Sequence, residues 1–243
     1  MISIQNLNKS FGETPVLRDI SLDIAPGERV VVIGPSGTGK STLLRCLNFL
    51  DTPDSGKITV GDLTVDAAHA SKADILGLRR RTGFVFQNYA LFANKTARQN
   101  ITEALVTVKG MSRADADARA SSILRETGLE ARADAYPASL SGGQQQRVGI
   151  GRAMALDAEL LLFDEPTSAL DPEWVGEVLD LMRKLAETRQ TMLIVTHEMQ
   201  FAREIADRIL FMDEGRIVEE GPPAQLLDSP SDPRTKAFLR RVG

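Results

Sequence analysis

Alternating apolar and polar residues mark two strands at the start of the chain. The segments ISIQNL (2–7) and VLRDISLDI (16–24) alternate apolar and polar side chains over most of their length, and turn-like residues 12–15 separate them. Period-2 patterns bounded by turn residues are typical of antiparallel strands, so we expect these segments to pair. The next segment, RVVVIG (29–34), is almost continuously apolar. That pattern predicts a strand buried on both faces of a parallel sheet.

Helical and strand patterns then alternate along the chain. A glycine-rich loop leads into an apolar-periodic helix, STLLRCLNFL (41–50), and short strands are predicted at KITVGDLTV (57–65) and TGFVF (82–86). Between these strands the polar, alanine-rich stretch 66–74 is expected to be a surface excursion. Residues 95–155 are typical of helix, with Ser112 as a cap, Asp115 in the first turn and Gly128 as a stop signal.

The last third of the chain again alternates strand and helix. ELLLFDEP (159–166) and TMLIVTHE (191–198) are predicted strands, and FAREIAD (201–207) is a predicted helix before the hairpin RILFMDEGRIVEEG (208–221). Asp171 and Pro172 are typical of a helix start. The apolar stripe of that helix is Val175, Val178, Leu179 and Met182. This alternation predicts an α/β fold.

Composition limits the function classes. A chain of 243 residues with 42% hydrophobic content can bury a substantial core, yet it lacks the 18 consecutive apolar residues that indicate a membrane span. The N-terminus does not resemble a signal peptide, and the single cysteine, Cys46, excludes an intramolecular disulfide, so a cytosolic location is expected. The net charge of -4 argues against a nucleic-acid partner. The arginine runs 79–81 and 240–241 are interpreted as solvated charge or partner contacts.

Residues 34–41, GPSGTGKS, match the P-loop pattern in full, and they lie between a predicted buried strand and a predicted helix. Glycines allow backbone N–H groups to surround phosphate oxygens, and a following helix N-terminus favours anionic charge. Lys40 is predicted to contact the β- and γ-phosphates, and the Ser41 hydroxyl to ligate Mg²⁺. The loop alone does not separate kinases, GTPases and ATPases.

Further motifs resemble those of ABC ATPases over essentially the whole chain. Leu140–Arg147, LSGGQQQR, resembles the signature motif, and Leu160–Pro166, LLLFDEP, resembles the Walker B strand. Thr167–Asp171 resembles the D-loop, and Thr196–Glu198 resembles the segment with the switch histidine. Gln87 follows a strand where the family has its Q-loop glutamine.

The resemblance implies a role for each of these residues. Glu165 is expected to polarise or deprotonate the attacking water, with His197 and Gln87 as its catalytic partners. Ser41, Gln87 and Asp164 are the expected Mg²⁺ ligands. Phe11 is expected to stack on adenine. The complete set of expected nucleotide contacts is Phe11, Gly34, Pro35, Ser36, Gly37, Thr38, Gly39, Lys40, Ser41, Thr42, Ser141, Gly142, Gly143, Gln144 and Asp171.

The resemblance also implies an architecture. The expected fold is a P-loop NTPase with a RecA-like core, an N-terminal antiparallel β subdomain and an inserted α-helical subdomain. Residues 1–86 and 154–243 would form the nucleotide-binding core, and 87–153 the insertion. Two copies would form a head-to-tail dimer around ATP, held at the cytoplasmic side of the membrane by permease subunits. An extracytoplasmic solute-binding protein would take part indirectly.

Within the family, several stretches resemble the polar amino-acid uptake branch. These are GPSGTGKSTLLRCLN, LSGGQQQRV, LFDEPTSALDPE and VTHEMQFAREIADR, while FVFQNYALFANKTARQNI with ITVGDLTVD is most similar to cystine-type importers. An exporter or lipoprotein-release ATPase and a DNA-repair ABC ATPase are the alternatives. The chain lacks the heptad run or cysteine cluster of the DNA-repair class, and it carries one cassette where translation-type relatives carry two.

Two departures from the family pattern stand out. Relatives usually read AIARAL after the signature motif, whereas this chain reads GIGRAM with Gly149 and Gly151. Because glycine inside a helix costs about 1 kcal/mol relative to alanine, reduced local rigidity is expected there. Residues 94–96, Asn-Lys-Thr, replace the commoner proline-containing turn after the Q-loop, on a surface expected to face the permease.

Overall fold

The computed structural model describes residues 1–242, which form ten strands and nine α-helices. The strands are β1 Ile2–Phe11, β2 Thr14–Ile24, β3 Arg29–Ile33, β4 Ser55–Val60, β5 Leu63–Asp66, β6 Thr82–Val85, β7 Leu160–Asp164, β8 Met192–Val195, β9 Arg208–Asp213 and β10 Arg216–Gly221. The helices are α1 Lys40–Leu47, α2 Lys72–Arg81, α3 Ala97–Thr107, α4 Arg113–Glu126, α5 Gly142–Met154, α6 Pro172–Glu187, α7 Met199–Ile205, α8 Pro223–Asp228 and α9 Pro233–Val242.

The strands form two sheets. An antiparallel sheet has the order β2-β1-β4-β5, and a six-stranded sheet has the order β10-β9-β3-β8-β7-β6. In the larger sheet β9, β3, β8, β7 and β6 are parallel neighbours, and only β10 pairs antiparallel. The predicted antiparallel pairing of the first two strands and the α/β class are therefore confirmed.

The six-stranded sheet is the middle layer of the nucleotide-binding half. Along β3, Val30 and Val32 face one hydrophobic cluster, shared with α1 and the antiparallel sheet, while Val31 and Ile33 face a second cluster with α6 and α7. All four side chains are 0% exposed. This two-sided burial is the physical reason for the continuous apolar run in the sequence.

Helices α3, α4 and α5 pack on one another around a hydrophobic cluster of their own. The cluster includes Ile101, Ile123 and Val148, each 0% exposed. The Ser112 cap is confirmed, because its Oγ accepts from the Asp115 N–H, and Gly128 follows α4 with a positive φ of 69°. A separate apolar core is what an inserted helical unit needs, and the boundaries 87 and 153 stay predictions.

The structure differs from the sequence-based expectations at two places. The stretch 66–74 is not only an excursion, because a 3₁₀ turn at Ala67–His69 is followed by α2, which begins at Lys72 behind a Ser71–Asp74 capping box. Only Leu78 of α2 is buried, so the helix has no apolar stripe to detect. Helix α1 ends at Leu47 rather than continuing to residue 50, since Phe49 has a positive φ of 52°. No helix within residues 1–242 is long and apolar enough to cross a membrane.

Cys46 lies on the buried face of α1 and gives a pH-dependent stability prediction. Burial, and secondarily the Asp51 carboxylate, raises the pKa of the thiol from 9.0 to about 12. The folded chain therefore keeps a proton that the unfolded chain loses, and stability falls as pH rises from about 9 to 12. We expect native protein to lose about 2 kcal/mol more than Cys46→Ala between about pH 8 and pH 10.5, measured by urea unfolding. Parallel losses in the two proteins would contradict this.

Candidate active site

Four of the sequence-predicted segments meet at one edge of the larger sheet. The P-loop follows β3, Gln87 follows β6, Glu165 follows β7 and His197 follows β8. These strands are parallel neighbours, with registers such as Val85 beside Phe163 and Asp164 beside Val195. Carboxyl ends of parallel strands are the usual place for ligands in α/β sheets. The fold thus brings together side chains that are more than 100 residues apart in sequence.

Backbone geometry fixes the P-loop. Gly34 opens it with a φ of 146°, and a Cβ placed there would lie 2.1 Å from the carbonyl oxygen of Met212. No residue with a side chain fits that approach. Gly39 closes the loop at the N-cap of α1 with a φ of 96°. The first turn of α1 consequently directs its unpaired N–H groups at the loop, an arrangement suited to phosphate.

Lys40 is 3% exposed, and its ammonium group lies over the same loop. Its Nζ donates to the carbonyl oxygens of Gly34 at 2.9 Å and Pro35 at 2.7 Å. Burial lowers the pKa of Lys40, while the Glu165 and Asp164 carboxylates oppose that change. The loop therefore presents a cation next to two acids at the sheet edge.

Asp164 carries a buried oxygen with no partner. The residue is 8% exposed, and within residues 1–242 its Oδ1 accepts no hydrogen bond. Burial raises the pKa of Asp164, and a hydrogen bond from Ser41 opposes that rise. A buried, unsatisfied carboxylate oxygen beside a hydroxyl suits a hard cation, because Mg²⁺ takes oxygen ligands. Ser41 and Asp164 therefore fit the predicted metal.

Glu165 is held in an unusual backbone conformation, with a φ of 45°. Its N–H donates to the Val195 carbonyl at 3.0 Å, which ties the end of β7 to β8. The carboxylate accepts from Ser168 Oγ at 2.9 Å, and its other oxygen lies 2.9 Å from His197 Nε2. A strained residue whose side chain is fixed on both oxygens is characteristic of a functional position. Glu165 and His197 therefore lie within hydrogen-bond distance of each other, and the roles expected for them stay predictions.

Phe11 and Gln87 are both exposed at or just beyond the end of a strand, and their roles stay predictions. Phe11 ends β1 and is 50% exposed, and Lys9 Nζ lies 4.9 Å from the ring centroid. The adjoining strand β2 touches the P-loop, since a Cβ at Gly39 would lie 2.7 Å from the Val16 carbonyl oxygen. Gln87 is exposed two residues beyond β6.

The signature residues begin α5. Ser141 is the N-cap, and its Oγ accepts from the Gln144 N–H at 3.3 Å while the Gln144 side chain accepts from the Ser141 N–H at 3.1 Å. A serine hydroxyl that accepts one hydrogen bond can still donate its own hydrogen. Gly143 packs against Trp174 of α6, because a Cβ there would lie 2.8 Å from Trp174 Cβ. The close contact requires glycine.

Asp171 begins α6 as the sequence predicts, but it does not cap the helix with its side chain. It occupies the N-cap position of α6, yet its side chain forms no capping hydrogen bond. Pro172 at the first helical position has no N–H and a fixed φ, so the helix starts without that bond. The exposed carboxylate stays a predicted contact of the nucleotide.

The two unusual glycines of α5 are sites of close packing. A Cβ at Gly149 would lie 3.3 Å from the Tyr89 carbonyl oxygen, and one at Gly151 would lie 2.9 Å from Ile123 Cγ2. Both positions are buried. Glycine therefore lets α5 approach the chain after β6 on one side and α4 on the other. The sequence predicts reduced rigidity from these glycines, but their close packing opposes the free-energy cost of glycine in a helix.

Two residues at the site were not assigned individually from the sequence. Ser168 fixes the Glu165 carboxylate, and Tyr89 donates from its hydroxyl to the Ala169 carbonyl at 3.0 Å. A hydroxyl three residues after a carboxylate can donate a hydrogen bond to it, so the short spacing between Glu165 and Ser168 could have indicated this contact. Tyr89 had none, because its partner lies 80 residues away.

Comparison with known proteins places these features together in one family. The family described as ABC transporter matches residues 17–168. The chain is 53% identical to the L-cystine transport system ATP-binding protein TcyN of Escherichia coli (strain K12), over 99% of this chain and 97% of that protein. It is 51% identical to the probable amino-acid import ATP-binding protein YxeO of Bacillus subtilis (strain 168), over 100% of this chain and 98% of the other.

A solved structure has the same fold. It is the dimeric, post-hydrolysis state of the ATP-binding cassette MJ0796 bound to ADP and Pi. The TM-score is 0.81 at 34% sequence identity, and the match covers 92% of this chain and 99% of that one.

Proposed function

The chain belongs to the ABC transporter family as an ATP-binding ATPase subunit, and from this premise we propose that it powers the uptake of a polar amino acid, with cystine as the first candidate. The paired Glu165 and His197 at the P-loop edge are the observation that supports hydrolysis. The import assignment is supported by relatives of nearly equal length whose names specify amino-acid or L-cystine transport.

ATP is the substrate, and its phosphates would lie on the P-loop. Lys40 would exchange its bonds to the Gly34 and Pro35 carbonyls for bonds to phosphate oxygens, which carry full charge. Glu165 would accept the proton of the attacking water, and His197 and Ser168 would keep its carboxylate aimed. Because phosphoryl transfer needs little covalent help, positioning and charge stabilisation account for the catalysis.

Mg²⁺ would be held by Ser41 and Asp164, with Gln87 as a further ligand. The unpartnered Oδ1 of Asp164 supports this assignment. Held by these residues, Mg²⁺ would supply positive charge that stabilises the negative charge of the phosphates during transfer. The two adjacent carboxylates would therefore have different roles: Asp164 is positioned for the metal, and Glu165 is positioned for the attacking water.

Two copies would bind ATP between them, head to tail. Each P-loop would face the partner's Ser141, Gly142 and Gly143, whose helix N-terminus favours the γ-phosphate. Phe11 would stack on the adenine, and Asp171 would approach the nucleotide from the partner. The dimeric state of the MJ0796 cassette supports this arrangement.

A permease would dock on the groove beside Gln87. This groove of ≈ 580 Å³ lies between β6 and α3, and it is lined by the exposed apolar side chains Leu50 and Phe92. Charged residues, including Arg79 and Glu103, border it. Apolar side chains with a polar rim suit an amphipathic helix of a partner. We assign residues 87–153 as the subdomain that transmits closure, at the cytoplasmic face of the membrane, with a solute-binding protein on the opposite face.

Uptake of labelled cystine, glutamine, arginine and histidine by cells tests the import proposal. We expect Lys40→Ala to abolish uptake of one solute, because hydrolysis needs the ammonium group.

Phe92→Glu should also abolish uptake, yet keep ATPase activity in the purified protein, because it changes only the docking groove.

Leu76→Glu is the matched control for Phe92→Glu. Leu76 is 50% exposed, compared with 47% for Phe92, and it lies on α2 outside the groove. Uptake should be retained in this variant. Unchanged uptake of all four solutes in Lys40→Ala, with purified native protein active, would contradict import of these solutes and favour export.

A further inference from the structure

The turn after Gln87 has a backbone that needs support. Tyr89 and Ala90 are consecutive non-glycine residues with positive φ values of 56° and 49°. Residues with a Cβ avoid this region, so the surrounding structure must hold such a pair in place. The residues that hold this turn in place show which other segments of the chain it is connected to.

Helix α5 holds the turn from one side. Arg152 donates from one guanidinium nitrogen to the Ala90 carbonyl at 2.7 Å and from another to the Tyr89 carbonyl at 3.5 Å. Gly149, one turn earlier on α5, leaves room for that same Tyr89 carbonyl. The position of the turn is therefore set by the helix that begins with the signature residues.

The Tyr89 side chain reaches two further segments. Its hydroxyl donates to the Ala169 carbonyl at 3.0 Å, in the middle of the D-loop segment Thr167–Asp171. A Cβ on Gly142 would lie 2.7 Å from the same hydroxyl oxygen. One phenol group consequently lies between the D-loop segment and the first signature glycine. A phenol is ordinarily protonated at neutral pH, and burial, with the Asp171 carboxylate second, raises the pKa of Tyr89 further, so the hydroxyl is a donor.

We propose that Tyr89 is a positioning residue, whose hydroxyl holds the D-loop segment and the signature helix N-terminus in one fixed arrangement. The inference rests on the proposed function, in which both segments contact ATP on the partner's P-loop. Gln87, two residues before Tyr89, faces the chain's own nucleotide in that dimer. Tyr89 thus connects the segment that contacts one ATP with the two segments that contact the other.

Tyr89→Phe removes only the hydroxyl, and Tyr136→Phe is its control, since these are the two tyrosines of the chain and Tyr136 is 51% exposed. We expect kcat for ATP hydrolysis to fall about threefold to tenfold in Tyr89→Phe, the range for one lost hydrogen bond. ADP affinity should stay close to native, because the P-loop is untouched, and Tm should fall by no more than a few degrees, the effect of one lost hydrogen bond on a domain of this size. In a Glu165→Gln background, the protein concentration needed for ATP-dependent dimerisation should rise by roughly the square of that factor, about tenfold to 100-fold, because each dimer contains two copies of Tyr89. Tyr136→Phe should match native protein in each assay.

A double-mutant cycle with Gly142→Ala tests the second contact. Without the hydroxyl, the closest neighbours of a Cβ at Gly142 are Leu170 Cδ2 at 3.2 Å and the Tyr89 ring carbon Cζ at 3.5 Å. Gly142→Ala should therefore impair dimerisation less in the Tyr89→Phe background than in native protein. Contacting residues give such non-additive effects, whereas independent residues add. Strict additivity, or native kcat and native dimerisation in Tyr89→Phe, would overturn the proposal.

Hydrogen exchange in the isolated chain separates this inference from the proposed function. Amides of residues 167–171 should exchange faster in Tyr89→Phe than in Tyr136→Phe, without nucleotide or partner. Unchanged exchange would remove the structural basis of the inference. Failure of Glu165→Gln protein to dimerise with ATP would instead contradict the proposed dimer, and the exchange result would still decide whether Tyr89 holds the D-loop segment.

Discussion

Glu165→Gln is expected to lower kcat for ATP hydrolysis by at least about 100-fold while ATP binding persists. Glutamine has nearly the same shape as glutamate, and its side-chain oxygen can still accept from Ser168 Oγ, which lies 2.9 Å from the native carboxylate. An amide cannot take the proton of the attacking water. The variant therefore removes the proposed general base and leaves the surrounding geometry in place.

Two measurements together identify this effect. Single-turnover hydrolysis should be nearly lost. Gel filtration with ATP should show a stable dimer, because ATP that is not hydrolysed keeps the dimer closed. Glu187→Gln, at the exposed C-terminal end of α6, is the control and should hydrolyse ATP at the native rate. Retention of more than about a tenth of native activity in Glu165→Gln would contradict the general-base role.

Gly34→Ala is expected to damage both the fold and nucleotide binding. The added Cβ would lie 2.1 Å from the Met212 carbonyl oxygen, where only backbone movement can relieve the overlap. We expect a loss of roughly 2–4 kcal/mol in the free energy of unfolding, since overlap with backbone and a φ of 146° are combined. For a domain of this size the melting temperature should fall by about 5–15 °C.

Circular dichroism and ATP titration measure the two consequences. ATP affinity should fall by at least about tenfold, because the displaced loop no longer directs its N–H groups at phosphate. Gly176→Ala is the matched control: this glycine lies on the exposed side of α6, and a Cβ there meets nothing within 4 Å. The control should be as stable as native protein or slightly more so. A native melting temperature in Gly34→Ala would contradict this prediction, because the loop would then have moved without a loss of stability.

Residues with strong local signals were predicted correctly from the sequence. The run at 29–34 is apolar because β3 is buried on both faces, and period-2 alternation gave β1 and β2 because one face of their sheet is covered. Helix α2 was missed, since it buries only Leu78 and shows no stripe. Helix α9 was not predicted either, because it depends on a long-range contact, Phe238 against Phe211 at 5.4 Å.

The same distinction applies to the candidate site. The P-loop is a continuous segment, so its residues and the tasks expected of them follow from eight adjacent positions. The contact between Glu165 and His197 spans 32 residues and was expected only through the resemblance of motifs. The Tyr89 contacts span 53 and 80 positions, and no pattern along the chain points to them. Long-range hydrogen bonds of single residues are decided by packing, which periodicity does not report.

Trp174, the only tryptophan of the chain, packs against Gly143 at the start of α5. Indole emission depends on local polarity and on nearby quenching groups, so the chain carries an intrinsic optical reporter beside the surface where two copies are proposed to meet. Stopped-flow fluorescence with unlabelled protein would then resolve closure and reopening in time. The order of these two steps relative to phosphate release could be established without attaching a dye.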